Sequence, residues 1–136
     1  MSVRYLLDTN IASYVIKGNF PHVRARLVSV PISAVGISAV TEAELRFGVE
    51  KQRGAARLRD AVEEFLVRVE ILPWDSIAAR AYAVLRSQLE NAGKPMGNLD
   101  MMIAAQALAA GTILVTHDRV FHSLRQMKIE DWTKAT

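Results

Sequence analysis

The chain carries fourteen Asp and Glu residues, and those that matter for chemistry are the ones without an ordinary task. Glu42 has Arg46 one helical turn further on, the favourable order for a surface pair. Glu63, Glu64 and Glu90 fall on charged helical faces, and Asp75 stands where a helix cap belongs. Glu44 differs. On a helix its neighbours at i−4, i+3 and i+4 are Val40, Phe47 and Gly48, none of them a cation. A carboxylate buried among such neighbours needs compensation. Two residues apart on a helix, Glu42 and Glu44 point about 200° away from each other. The expectation is that Glu42 faces Arg46 and solvent, and Glu44 turns with Val40 and Phe47 toward a cleft.

Asp100 is odder still, because no Lys or Arg occurs between Lys94 and Arg119. Its helical neighbours are Met96, Gly97, Ile103 and Ala104. An aspartate in a first helical turn interacts favourably with the helix dipole, but Asn98 is the better N-cap and relieves Asp100 of that duty. Asp8 and Asp118 each follow an apolar, strand-like run, and each could cap the helix after it. Ligands of open parallel sheets bind in the crevice beyond the strands' carboxyl ends. Two strand-end acids and two helical acids can therefore meet in one cleft.

Carboxylates brought that close raise one another's pKa unless a counter-charge is supplied. A hard divalent cation removes the repulsion, and Mg²⁺ typically uses one or two carboxylates plus waters. Such a site suits phosphodiester hydrolysis: the cation activates water and offsets the charge developing on the phosphoryl group, so no histidine base is needed. Other chemistries lack their residues. There is no cysteine, so Cys-ligated metals, disulfides and cysteine nucleophiles are excluded. No glycine-rich phosphate loop follows the first strand, the three histidines never take HExxH spacing, and no GxSxG elbow occurs. A haloacid-dehalogenase-type phosphatase wants a second acid two residues after its first, where this chain has Asn10.

These residues must be positioned by a regular frame. Apolar runs at Val3–Leu7, Val35–Ser38, Val69–Leu72 and Thr112–Thr116 read as buried strands. Helical spacing covers Asn10–Lys17, Pro21–Val28, Val40–Gln52, Ala55–Val67, a stretch capped by Asp75 and running to Leu89, and Asn98–Ala110. Gly18 and Gly111 stand at helix ends. Strands alternating with helices predict an α/β sandwich around a mainly parallel sheet. At 136 residues the length fits one domain, 1–136. With 51% hydrophobic and 23% charged residues the composition excludes a disordered chain. The longest mostly apolar stretch, Met101–Val115, is too short to span a bilayer, so no membrane is expected as a partner. The net charge of +3 is concentrated: Arg46, Lys51, Arg53, Arg57 and Arg59 stand against Glu50 alone, a local +4 on a near-neutral body. That patch reads either as a nucleic-acid contact or as a solvated helical face.

Leu6-Leu7-Asp8-Thr9-Asn10 and Ile37-Ser38-Ala39-Val40-Thr41-Glu42-Ala43-Glu44-Leu45 resemble the opening motifs of PIN-domain ribonucleases. Gly97-Asn98-Leu99-Asp100-Met101-Met102-Ile103-Ala104 and Leu114-Val115-Thr116-His117-Asp118 are similar to the later ones, in the same order and spacing. The resemblance extends to Glu130-Asp131-Trp132 and points to VapC-type toxins of bacterial toxin–antitoxin pairs. It implies a PIN-like three-layer α/β/α sandwich and a cytoplasmic, Mg²⁺- or Mn²⁺-dependent endoribonuclease that inhibits translation, in some relatives by cutting tRNA. It implies Asp8, Glu44, Asp100 and Asp118 as the catalytic acids, with Asp8 and Asp100 contacting metal and Glu44 and Asp118 acting through water. Thr9, Asn10 and Thr116 become orienting groups, though each reads equally as a turn residue, and the basic patch becomes an RNA contact. The implied partners are RNA, a small antitoxin that blocks the groove, and a second copy of the chain. The competing expectations are a non-catalytic RNA- or protein-binding module and a small metal-dependent phosphatase or 5′-nuclease.

Overall fold

A computed structural model describes residues 2–135. Five short strands form one sheet: β1 (Tyr5–Leu7), β2 (Val35–Ser38), β3 (Glu70–Leu72), β4 (Ile113–Val115) and β5 (Ile129–Glu130). Every pairing is parallel and the order is β3-β2-β1-β4-β5. Six helices accompany them: α1 (Thr9–Lys17), α2 (Pro21–Val28), α3 (Ala39–Lys51), α4 (Ala56–Arg68), α5 (Ser76–Asn91) and α6 (Asn98–Ala110). Each expected strand and helix is present, with ends moved by a residue or two; β1 starts at Tyr5 rather than Val3.

Side chains alternate across a strand, and the sheet splits its core accordingly. Tyr5, Leu7, Val35, Ile37 and Val115 face a layer that includes Ile11 of α1, Val23 of α2 and Phe65 of α4. Leu6 and Leu114 face the opposite layer, with Leu85 and Leu89 of α5 and Met101, Ile103 and Ala104 of α6. The two tryptophans divide in the same way. Trp132 is fully buried on the first side against Tyr5, and Trp74 packs edge-on to Tyr82 on the second while its indole N–H donates to the Met102 carbonyl. The result is a three-layer α/β/α sandwich.

Three pieces are absent from the sequence expectation: β5 and the single 3₁₀ turns Ile32–Ala34 and Arg119–Ser123. The cap expected at Asn98 also moves. Gly97 takes the extended capping conformation without a side-chain bond, and Asn98 becomes the first helical residue. No helix of the described residues is long and apolar enough to cross a membrane.

β1 lies at the centre, the chain winds outward through β2 and β3, and it then returns to β1's other side as β4. That reversal makes the carboxyl ends of β1 and β4 the switch point of the sheet, where such folds open a crevice.

Candidate active site

Asp8 follows β1 at this switch point and is 4% exposed. Its backbone N–H donates to Val115 O of β4 at 3.0 Å, and its Oδ1 accepts the Ile11 N–H at 2.9 Å as the N-cap of α1. Thr116, directly after β4, is fully buried between two of the acids. Its hydroxyl donates to the Asp8 carboxylate and accepts the backbone N–H of Asp118 at 3.0 Å. Asp118 in turn caps the Arg119–Ser123 turn, its Oδ1 accepting Val120 N–H at 3.0 Å. Capping and membership of an acidic cluster are thus not alternatives here: Asp8 and Asp118 do both.

The helical acids enter from the neighbouring layers. Ser38, at the end of β2, caps α3 by accepting Val40 N–H at 3.1 Å and donates to Gln106 Oε1 of α6 at 3.0 Å. Gln106 donates onward to the Pro73 carbonyl at 3.3 Å. This buried link fixes the helix carrying Glu44 against the helix carrying Asp100. Glu44 is half-buried and accepts from the Thr9 hydroxyl at 2.5 Å. Thr9 Oγ1 also lies 3.1 Å from that of Thr41, which is fully buried. A hydroxyl has one hydrogen; with Thr9 giving its own to Glu44, Thr41 is the donor to Thr9. The Phe47 side chain, expected beside Glu44, is instead 64% exposed. Asp100 sits half-buried in the first turn of α6. Glu42 pairs with Arg46 at 2.9 Å, away from these groups.

Burial pushes the Asp8 carboxyl up to about 6. The bonds from Thr116 and Ile11 oppose that rise, and the charges of Asp100 and Asp118 add to it. Asp100 is raised too, by burial first and then by Asp118 and Glu44. Mutual repulsion therefore runs through all four acids, and among the described residues none of them is in an ion pair. No three Asp, Glu or His groups among the described residues stand together as a ready-made metal centre. The hard oxygen donors still suit Mg²⁺, which needs one or two carboxylates and fills its sphere with water. A buried, elevated carboxyl facing other carboxyls is relieved by a cation.

The basic residues separate. Arg46 is held by both Glu42 and Glu63, the latter at 2.5 Å. Lys51 lies over the Phe47 ring, and Arg53, Arg57 and Arg59 are exposed around the α3–α4 turn. Asn10 is exposed and lines a cleft beside Asp118. Thr41, Ser38 and Gln106 were not singled out from sequence. Thr41 alone carried a signal, since it lies at i−3 to Glu44 and so on the same helical face.

Residues 5–126 match the PIN domain family. The chain is 36% identical, over 96% of its length and 98% of the relative's, to the tRNA(fMet)-specific endonuclease VapC of Salmonella typhimurium. Its fold superposes on the crystal structure of DNA-bound VapBC from Salmonella typhimurium with a TM-score of 0.89 at 36% identity, covering 96% and 98% of the two chains. It superposes on VapBC2 from Rickettsia felis, bound to a promoter DNA fragment, with a TM-score of 0.87 at 30% identity, covering 97% and 99%. An all-parallel sheet with acids gathered at its central switch point, matched over nearly its whole length, places this chain in the PIN-domain family, among VapC relatives.

Proposed function

We propose that the protein is a divalent-metal-dependent endoribonuclease acting as the toxin of a toxin–antitoxin pair in the cytoplasm, with a homodimer as its working form. The relatives named VapC and tRNA(fMet)-specific endonuclease support RNA as the substrate and transfer RNA as its class. The VapBC complexes support a cognate antitoxin as the partner. The observation that carries the catalytic reading is the buried Asp8 carboxyl, raised to about 6 beside Asp100 and Asp118 at the sheet's switch point.

Asp8 and Asp100 are the groups to hold a cation, Mg²⁺ or Mn²⁺, with Glu44 and Asp118 acting through water. When bound, such a cation supplies positive charge against the developing phosphoryl charge and makes water acidic enough to attack near neutral pH. The chain's own side chains do the rest. Thr116 holds Asp8 and the Asp118 backbone in one arrangement, so the two acids keep a fixed separation. Thr9, braced by Thr41, holds the Glu44 carboxylate as an acceptor for a proton from attacking water. The exposed Arg53, Arg57 and Arg59 offer phosphate contacts further along the strand.

The test is cleavage of a transfer-RNA pool by purified protein. EDTA should abolish it and Mg²⁺ or Mn²⁺ restore it, and Asp8→Asn should be inactive with either. Full activity in chelator would refute the mechanism.

A further inference from the structure

A cleft of about 820 Å³ opens beside Asp118, within the range of roughly 300–1,000 Å³ typical of ligand sites. α1 contributes Asn10 and Tyr14, one turn apart; the 3₁₀ turn after β4 contributes Arg119 and His122; Lys134 comes from beyond β5. Tyr14 is fixed by stacking on Phe20, ring centroids 3.9 Å apart. Arg119 and Lys134 are exposed, and neither side chain is in an ion pair among the described residues.

The second acid of this cleft, Asp131, is already committed. It accepts from Thr133 Oγ1 at 2.6 Å and from the Thr133 backbone N–H at 2.9 Å, and its Oδ2 lies 2.9 Å from His117 Nδ1. With a carboxylate as its partner, Nδ1 carries the hydrogen, an assignment that follows from the bonding network. Nε2 is then the ring nitrogen left to the cleft.

A polyanion that must approach four carboxylates needs cations close by. The patch around the α3–α4 turn is not that near. Arg46 is already paired, and Lys51 begins two helical turns past Glu44, about 10 Å along the axis. Arg119 is the residue next to Asp118. The ribose 2′-hydroxyl, which distinguishes RNA from DNA, is both donor and acceptor and suits an imidazole nitrogen.

We propose that this cleft seats the ribonucleotide adjoining the phosphodiester that is cut, with Arg119 and Lys134 holding its phosphate and His117, oriented by Asp131, its 2′-hydroxyl. This rests on the nuclease reading above. It is tested by steady-state kinetics in Mg²⁺ on a labelled single-stranded RNA, with the same sequence as DNA as competitor. Arg119→Ala/Lys134→Ala should raise KM by about tenfold or more while kcat stays within about twofold. The same variant should reduce the salt slope of binding by about two. His117→Ala should lower the preference for RNA over DNA by about tenfold, and Asp131→Asn, still able to accept from Nδ1, should retain most of it. Lys17→Ala/Arg80→Ala, an equal loss of exposed charge elsewhere, should match the parent. A pocket variant with parental KM and salt slope overturns the proposal, as does one no worse than that control. Loss of a bound antitoxin with RNA kinetics unchanged would give the cleft to the protein partner and overturn it as well. A parent that cuts no RNA in Mg²⁺ or Mn²⁺ removes the nuclease reading itself, an outcome distinct from the others.

Discussion

Glu42 and Glu44 share a helix, a charge and a motif, yet their surroundings assign them different work. Glu42 meets Arg46, which also has Glu63, so Glu42→Gln should leave fold and cleavage near parental. Glu44 is reached by Thr9, and Glu44→Gln should lower kcat by on the order of 100-fold, about 2.7 kcal/mol. Parallel kinetics on the two variants decide the matter, and a dead Glu42→Gln with an active Glu44→Gln would reverse the assignment. Asp8 allows a pH prediction. Its folded pKa of about 6 lies above the ordinary 3.8, so between those values the folded chain holds more proton than the unfolded one. Metal-free stability should therefore fall as pH rises from about 4 to about 6, by up to about 3 kcal/mol, and level off above. Asp8→Asn cannot titrate and keeps a cap acceptor. Its melting temperature relative to the parent should climb across that window, and a constant difference would contradict the assignment. The separate tasks of Glu42 and Glu44 were legible in sequence from Arg46 and the helical period. Thr41 was legible only as a position on the helical face of Glu44; that its hydroxyl braces Thr9 depends on how α1 crosses α3.

At the scale of elements, buried parallel strands read as apolar runs and helices as 3.6-residue periods, which is why four strands and six helices are legible in the sequence. β5 is not, since Ile129–Glu130 is only two residues long and follows Lys128 directly. The 820 Å³ cleft was hidden for a different reason: its walls come from three stretches of chain that only the fold joins. Two glycines show how far local context decides. A methyl added to Gly36 of β2 would come within 2.9 Å of Val3 Cγ1 and 3.1 Å of the Glu70 carbonyl in the adjoining strand. Gly48 of α3 has nothing within 4 Å. Gly36→Ala should destabilise by roughly 1–3 kcal/mol, and Gly48→Ala should stabilise by about 0.5–1 kcal/mol, the usual gain of alanine over glycine in a helix. Denaturant melts of the two variants should move in opposite directions; equal shifts would mean that β2 and β3 are not so closely packed.

At the scale of the whole molecule, the four acids gather on one edge of the sandwich. The switch point sets Asp8 and Thr116 between the layers, and the Ser38–Gln106 bond ties the helices that bring Glu44 and Asp100. The two layers also carry unlike optical labels. Trp132 packs at a tilt against Tyr5 on one side of the sheet, and Trp74 bonds to the Met102 carbonyl of α6 on the other. With only two tryptophans in the chain, Trp74→Phe leaves the first layer's tryptophan alone to be excited selectively, and Trp132→Phe leaves the second layer's. The protein is thus its own two-channel fluorimeter, in which loosening of the α5–α6 side and of the α1–α2–α4 side can be watched separately, without any attached dye.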